Sequence, residues 1–231
     1  MPSDIHHHLH RKLIYLVTSG QTTPATTPAT EDFARLRALA KAAVKAKIDL
    51  LQIREKDLSA GVLYALTASI ADITRGTETK LLVNDRADIA ASAGADGVHL
   101  ATNSLPAKVV RHAFGDKLLI GVSTHSLAEG LMARADGADF VVFGPVFDTP
   151  AKAKYGKPQG LKQLEAITAQ LGSFPVLALG GIKVERVADC IRAGAQGIAA
   201  IRMFDDPQQL DRVVDEIREL LQRAGSSESN L

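Results

Sequence analysis

Eight short runs of β-branched or aliphatic residues, near 13–17, 49–53, 80–83, 96–100, 117–122, 139–143, 174–179 and 196–201, punctuate the chain. Between them, apolar residues recur at helical spacing, as in Phe33, Leu36, Leu39, Ala40 and Val44. Strands separated by amphipathic helices cannot pair as hairpins, so the alternation predicts βαβ units and a parallel sheet. Eight such units in roughly 215 residues match a compact single-domain α/β fold, the (β/α)8 TIM barrel with parallel strands. An open doubly wound sheet is the alternative, but no Gly-x-Gly-x-x-Gly follows the first strand.

An internal echo supports closure. Gly-Ala followed by an apolar strand occurs at Gly94 (GADGVHLA), Gly137 (GADFVVFG) and Gly194 (GAQGIAAI), with a degenerate copy at Lys47 (KIDLLQIR). Glycine suits the position just past a helix, where the chain turns left-handed before the next strand. The four copies precede strands 2, 4, 6 and 8, so every second unit shares one helix-to-strand connection. The expected layout is a tail over 1–11, a barrel over 12–223 and a second tail over 224–231. The cluster His6, His7, His8 and His10 lies in the first tail and has no carboxylate or cysteine following at ligand spacing. Gln21–Thr30, rich in Thr, Pro and Ala, is expected to be a flexible loop.

Composition narrows the function classes. With 27 basic and 26 acidic side chains among 231 residues there is no basic footprint for nucleic acid. No apolar run approaches the ~18 residues of a membrane span. The single cysteine, Cys190, excludes an internal disulfide framework and fits a reducing cytoplasm. The expected partners are small molecules, and a homo-oligomer is compatible with everything in the sequence.

Barrel chemistry sits at the C-terminal ends of strands. After strand 2, period-two alternation turns Gln52, Arg54 and Lys56 toward the barrel mouth, with Leu51 and Ile53 under the helices. That face is either an anion site or holds a structural ion pair of Arg54 with Glu55 or Asp57. Strand 3 stops at Asn84, which can read a heterocycle edge, and Asp85, a hard oxygen ligand for Mg²⁺. Both could instead cap the next helix. Strand 5 ends in Ser123, Thr124, His125 and Ser126. His125 is a candidate acid–base group, Ser123 or Thr124 could donate to a phosphate, and Ser126 could cap a helix.

The stretch Gly144–Gly160 carries three prolines, three glycines and three lysines in 17 residues. It reads as a lid over an anionic ligand, or as a disordered surface loop. Gly180 and Gly181 after strand 7, with Ile201 and Arg202 after strand 8, offer backbone N–H groups of the kind that bind phosphate in barrels.

Taken in order, QIREK (52–56), NDRADIA with GADGVHL (84–100), GVSTHS (121–126), GPVFDTPAK (144–152), ALGGI (178–182) and GAQGIAAI (194–201) resemble the thiamine-phosphate synthase/TenI family of (β/α)8 proteins. The resemblance implies joining of hydroxymethylpyrimidine diphosphate to a carboxythiazole phosphate with release of diphosphate, using Mg²⁺. It assigns Gln52, Arg54 and Lys56 to the pyrimidine diphosphate, Asn84 to the pyrimidine and Asp85 to the metal. Ser123 and Lys152 match diphosphate contacts, Thr149 a thiazole contact, and Gly181 with Ile201 the thiazole phosphate.

Three positions depart from the pattern. Ala101, Thr102 and Ser104 stand where the synthases carry Gly-Gln-x-Asp, whose aspartate is a second metal ligand. Ala151 interrupts Thr-x-Thr-Lys, and Arg202 replaces a serine. These departures keep a rival reading open, a TenI-like thiazole tautomerase using His125 and no metal. A non-catalytic ligand-binding barrel also stays open. A Schiff-base aldolase built on Lys56 is disfavoured, because Arg54, Glu55 and Asp57 crowd that amine with charge.

Overall fold

A computed structural model describes residue 9, residues 11–149 and residues 157–226, with side chains to 223. Eight parallel strands close into a barrel in sequence order: β1 (Leu13–Val17), β2 (Leu50–Ile53), β3 (Lys80–Asn84), β4 (Gly97–Leu100), β5 (Leu119–Thr124), β6 (Phe140–Phe143), β7 (Val176–Leu179) and β8 (Gly197–Ala200). Closure is made by β1 against β8, with Leu13 opposite Gly197 and Leu16 opposite Ala200. The helices α1 (Glu31–Lys45), α2 (Ala60–Thr74), α3 (Ala87–Ala93), α4 (Ala107–Phe114), α5 (Leu127–Ala135), α6 (Gly160–Leu171), α7 (Val187–Arg192) and α8 (Leu210–Ser226) follow their strands in turn.

Strand alternation splits the core in two. Ile14, Leu16, Leu51, Ile53, Leu81, Val83, Val98 and Ile120 point outward and pack under the helices. Leu13, Tyr15, Val17, Leu50, Leu82, Leu119, Phe140, Val142 and Leu177 fill the interior. On α1 the buried stripe is Phe33, Leu36, Leu39, Ala40 and Ala43. Val44 is only half-buried.

The echoed junctions share one geometry. Gly94, Gly137 and Gly194 have φ of 78°, 85° and 85°, and Lys47, at the degenerate copy, adopts φ 57°. In each case the next residue donates back five positions: Ile48 to Ala43, Ala95 to Ala90, Ala138 to Ala133, and Ala195 to Cys190. The aspartate that follows in three copies also has a task. Asp49, Asp96 and Asp139 accept from the N–H of Ile14, Leu81 and Ile120 at 2.7, 2.8 and 2.6 Å, closing the open ends of the preceding strands.

The barrel floor begins earlier than the expected boundary at residue 12. Leu9 packs into the interior cluster, and Arg11 pairs with Asp49 at 2.9 Å and Glu78 at 3.1 Å. One apolar residue among histidines is too weak a pattern to mark a plug. At the other end α8 extends through Ser226, past the expected 223. His6, His7, His8 and His10 lie outside the described residues.

The loop from Gln21 to Thr30, expected to be flexible, is tied down instead. Glu55, 3% exposed, accepts from the Gly20 and Thr22 N–H groups at 3.1 and 3.2 Å and from the Thr22 hydroxyl at 2.8 Å. Turns at Thr23–Thr26 and Thr27–Thr30 complete it.

Candidate functional site

The upper barrel interior is polar, and Gly121 makes room for it. A Cβ there would sit 2.4 Å from the Phe140 ring and 2.8 Å from His99 Nδ1. In that space Tyr15, Gln52, Asn84, His99 and Ser123 form a continuous hydrogen-bonded layer. Tyr15 donates to Gln52 Oε1 at 3.1 Å and meets His99 Nδ1 at 3.2 Å. Gln52 Nε2 donates to Asn84 Oδ1 at 3.1 Å, and His99 Nε2 lies 2.9 Å from Ser123 Oγ. Phe140 walls the layer, edge-on to Tyr15 at 5.8 Å between ring centroids. Burial pushes the His99 imidazole down to about 4, against the opposing pull of the Asp85 charge, with Arg54 adding slightly to the depression. His99 is therefore neutral. Burial likewise raises the Tyr15 phenol well above its usual range.

Tyr15 and His99 are members of this layer that strand-end reasoning did not single out. The available signal was their inward position: His99 lies between Asn84 and Gly121 in register, and a polar ring facing a barrel axis needs partners.

Above the layer stand the charged groups. Gln52 is buried, Arg54 half-buried and Lys56 exposed, the last two lying past the end of β2. Arg54 makes no ion pair with Glu55 or Asp57 among the described residues, since Glu55 is occupied by the loop after β1. Its guanidinium passes close over Gly20. Asp85 adopts φ 60° and does not cap α3, whose N-cap residue is Arg86. Its Oδ2 accepts from Asn84 Nδ2 at 2.9 Å, while Oδ1 accepts from the Ala101 N–H at 3.2 Å and from the Ser104 hydroxyl. Ser104 thus faces Asp85 directly. No group of three or more His, Cys, Asp or Glu is placed to hold a metal among the described residues.

His125 is half-buried, and its Nδ1 bonds the Gly144 carbonyl, bracing the end of β5 against the start of the next loop. Ser126 caps α5 by accepting from the Glu129 N–H at 3.2 Å, and Glu129 reaches back to the His125 N–H at 2.5 Å. The loop after β6 is stitched at both ends: Val146 and Phe147 donate to Leu179 and Gly180, and Gln159 and Gly160 donate to Pro145 and Val146. Thr149 is half-buried in it. Ala151 and Lys152 lie outside the described residues.

Gly181, at φ 64°, runs under this loop so closely that a Cβ would meet the Asp148 and Phe147 carbonyls at 2.4 and 2.7 Å. Across from it, Ile201 leads into a 3₁₀ turn at Arg202–Phe204, and Arg202 is exposed. The Gly181 and Arg202 N–H groups meet no backbone acceptor among the described residues. Such free amides at the mouth can bind an oxyanion.

A family model described as thiamine monophosphate synthase matches residues 14–204. The thiamine-phosphate synthase of Chloroflexus aurantiacus is 41% identical over 165 residues, covering 71% of this chain and 76% of its own. That of Methanoculleus marisnigri is 42% identical over 163 residues, covering 71% and 77%. Among solved structures, thiamine phosphate pyrophosphorylase from Pyrococcus furiosus is 26% identical with a TM-score of 0.75, covering 94% of this chain and 98% of that one. A 3-hexulose-6-phosphate synthase at 18% identity and a TM-score of 0.63 shares the fold alone.

Proposed function

Because the chain belongs to the thiamine monophosphate synthase family, we propose that it joins hydroxymethylpyrimidine diphosphate to a carboxythiazole phosphate and releases diphosphate. The observation that carries this reading is the convergence of Gln52, Arg54, Asn84, Asp85 and Ser123 on one barrel mouth. The reaction must break a carbon–oxygen bond to a diphosphate and form a carbon–nitrogen bond to the thiazole.

Arg54 and Lys56 supply positive charge where the departing diphosphate gathers negative charge, which stabilises a transition state with a largely broken C–O bond. Asn84 offers the pyrimidine an amide edge. Ser123 and Lys152 complete the diphosphate contacts, and Thr149 borders the thiazole. The N–H groups of Gly181, Ile201 and Arg202 hold the thiazole phosphate at the opposite side, with the Arg202 guanidinium adding a charge-assisted contact. His125, bonded to the Gly144 carbonyl, braces the start of the loop after β6.

The donor set near Asp85 fits Mg²⁺ in a restricted way. Asp85 and Ser104 are hard oxygen donors at the exposed mouth, and Mg²⁺ commonly keeps several waters and takes phosphate oxygens for the rest. When bound, the ion would supply charge neutralisation on the diphosphate. A single carboxylate gives weaker holding than two.

Coupling by the wild type should therefore require Mg²⁺ at high concentration, and Ser104→Asp should lower the concentration needed. Asp85→Ala should abolish coupling. Thiazole isomerisation that survives Asp85→Ala and is lost in His125→Ala, with no coupling by the wild type, would identify a tautomerase instead. The account also implies a protein acting on small molecules in the cytoplasm. No helix among the described residues is long and apolar enough to cross a membrane.

A further inference from the structure

The polar layer is a single run of hydrogen bonds from Asn84 to Ser123, and Asp85, to which Asn84 donates, dictates the direction of all of them. An ionised carboxylate only accepts. Asn84 must therefore present Nδ2 to Asp85 Oδ2, 2.9 Å away, which leaves its Oδ1 to accept from Gln52 Nε2 at 3.1 Å. Gln52 then offers Oε1 to the Tyr15 hydroxyl at 3.1 Å. Tyr15 has spent its one proton there, so toward His99 it accepts, and Nδ1 at 3.2 Å carries the hydrogen. A neutral imidazole has a single N–H. Nε2 is consequently bare, and the Ser123 hydroxyl 2.9 Å away donates into it. This tautomer is the reverse of the one free histidine prefers in water.

We infer that the chain Asp85–Asn84–Gln52–Tyr15–His99–Ser123 transmits the presence or absence of a cation on Asp85 to Ser123. With the carboxylate bare, Ser123 spends its proton on His99 and turns lone pairs toward the ligand space, where a diphosphate oxygen is unwelcome. A divalent cation on Asp85 removes the demand for a donor at that end. Asn84 can then turn its amide so that Oδ1 faces the cation and Nδ2 faces Gln52. Gln52 turns likewise, Tyr15 rotates its hydroxyl toward Nδ1, and the imidazole proton moves from Nδ1 to Nε2 by exchange with water. The proton count is unchanged. Ser123, now accepting from Nε2–H, has its own proton free to donate to diphosphate.

Metal and diphosphate thus favour each other's binding through the barrel interior as well as by direct contact. Tyr15 and His99 are positioning residues in this account. The inference rests on the reading of Asp85 as the metal contact and Ser123 as a diphosphate contact.

The test is ¹⁵N spectroscopy of the full chain with labelled histidine, His99 being assigned by the signal missing from His99→Gln. The probe is Mg²⁺ with inorganic diphosphate, its binding followed by calorimetry. In the free protein His99 should show hydrogen on Nδ1 and a bare Nε2, and saturation should exchange the two. Asp85→Asn, which can donate or accept, should give both tautomers without ligand. Tyr15→Phe should leave His99 unresponsive to the probe.

A free protein with hydrogen on Nε2 would overturn the inference. So would failure of the probe to bind, a His99 signal unchanged at saturation, or a Tyr15→Phe response equal to wild type. No turnover is involved, so a chain that shows the exchange yet couples no substrates would retract the synthase reading and leave this one standing.

Discussion

At the scale of single residues, two positions hold most of the site's physical constraint. Gly181 combines a left-handed backbone with carbonyl oxygens packed where a side chain would begin. Left-handed backbone alone costs an L-residue about 1–2 kcal/mol, and the collision adds to it. Gly181→Ala should lower the unfolding free energy by at least about 1 kcal/mol and raise KM for the thiazole phosphate. KM for the pyrimidine diphosphate, proposed to bind at the ends of β2 and β3, should move little. Denaturant titration and steady-state kinetics check both.

His99 offers a second test. Burial holds its pKa near 4 against an ordinary 6.5. The unfolded chain therefore takes up a proton through that window while the folded chain does not. Stability contributed by the neutral ring is complete above 6.5 and is lost as pH falls toward 4, by roughly 3 kcal/mol in total. His99→Gln should flatten that part of the curve of unfolding free energy against pH. An unaltered slope would show that the ring is protonated in the folded barrel. His99 was hard to single out in the sequence because its partners Tyr15 and Ser123 lie 84 and 24 residues away, joined only by closure of the barrel.

At the scale of elements, the alternation of strand and helix was legible almost residue by residue, helped by the shared junction chemistry that precedes every second strand. In these junctions a left-handed residue ends the helix and an aspartate in three copies closes the neighbouring strand's open N–H. Lys47 occupies the left-handed position without being glycine. Lys47→Gly should therefore stabilise the fold by about 0.5–1 kcal/mol, the relief of strain outweighing the added freedom of the unfolded chain. Calorimetric melting would check it, and a lower Tm would mean that the side chain contributes more than its backbone costs. The loop after β1 was misjudged for a physical reason. Its Thr/Pro composition suggested flexibility, but order comes from Glu55 on a different element, a carboxylate that in sequence stood only as one alternative partner for Arg54.

At the scale of the whole molecule, the barrel brings to one mouth groups drawn from positions as far apart as Gln52 and Arg202. Strand-end reasoning located them because a parallel barrel puts every strand's C-terminal end on the same side. It could not reveal which polar groups were already engaged with each other. Ser104 illustrates the difference: a departure from the family pattern in sequence, it becomes in space the hydroxyl that faces Asp85. The lone cysteine, Cys190, is buried on α7 with its thiol pushed up to about 12, so it takes no part in the chemistry of the mouth. The central claim is that this mouth couples a pyrimidine diphosphate to a thiazole phosphate. The most direct measurement mixes both precursors with the purified chain across a range of Mg²⁺ and quantifies thiamine phosphate and diphosphate together. The account predicts equal amounts of the two products, rising with Mg²⁺ and absent without it. Isomerised thiazole with no thiamine phosphate at any Mg²⁺ concentration would contradict it.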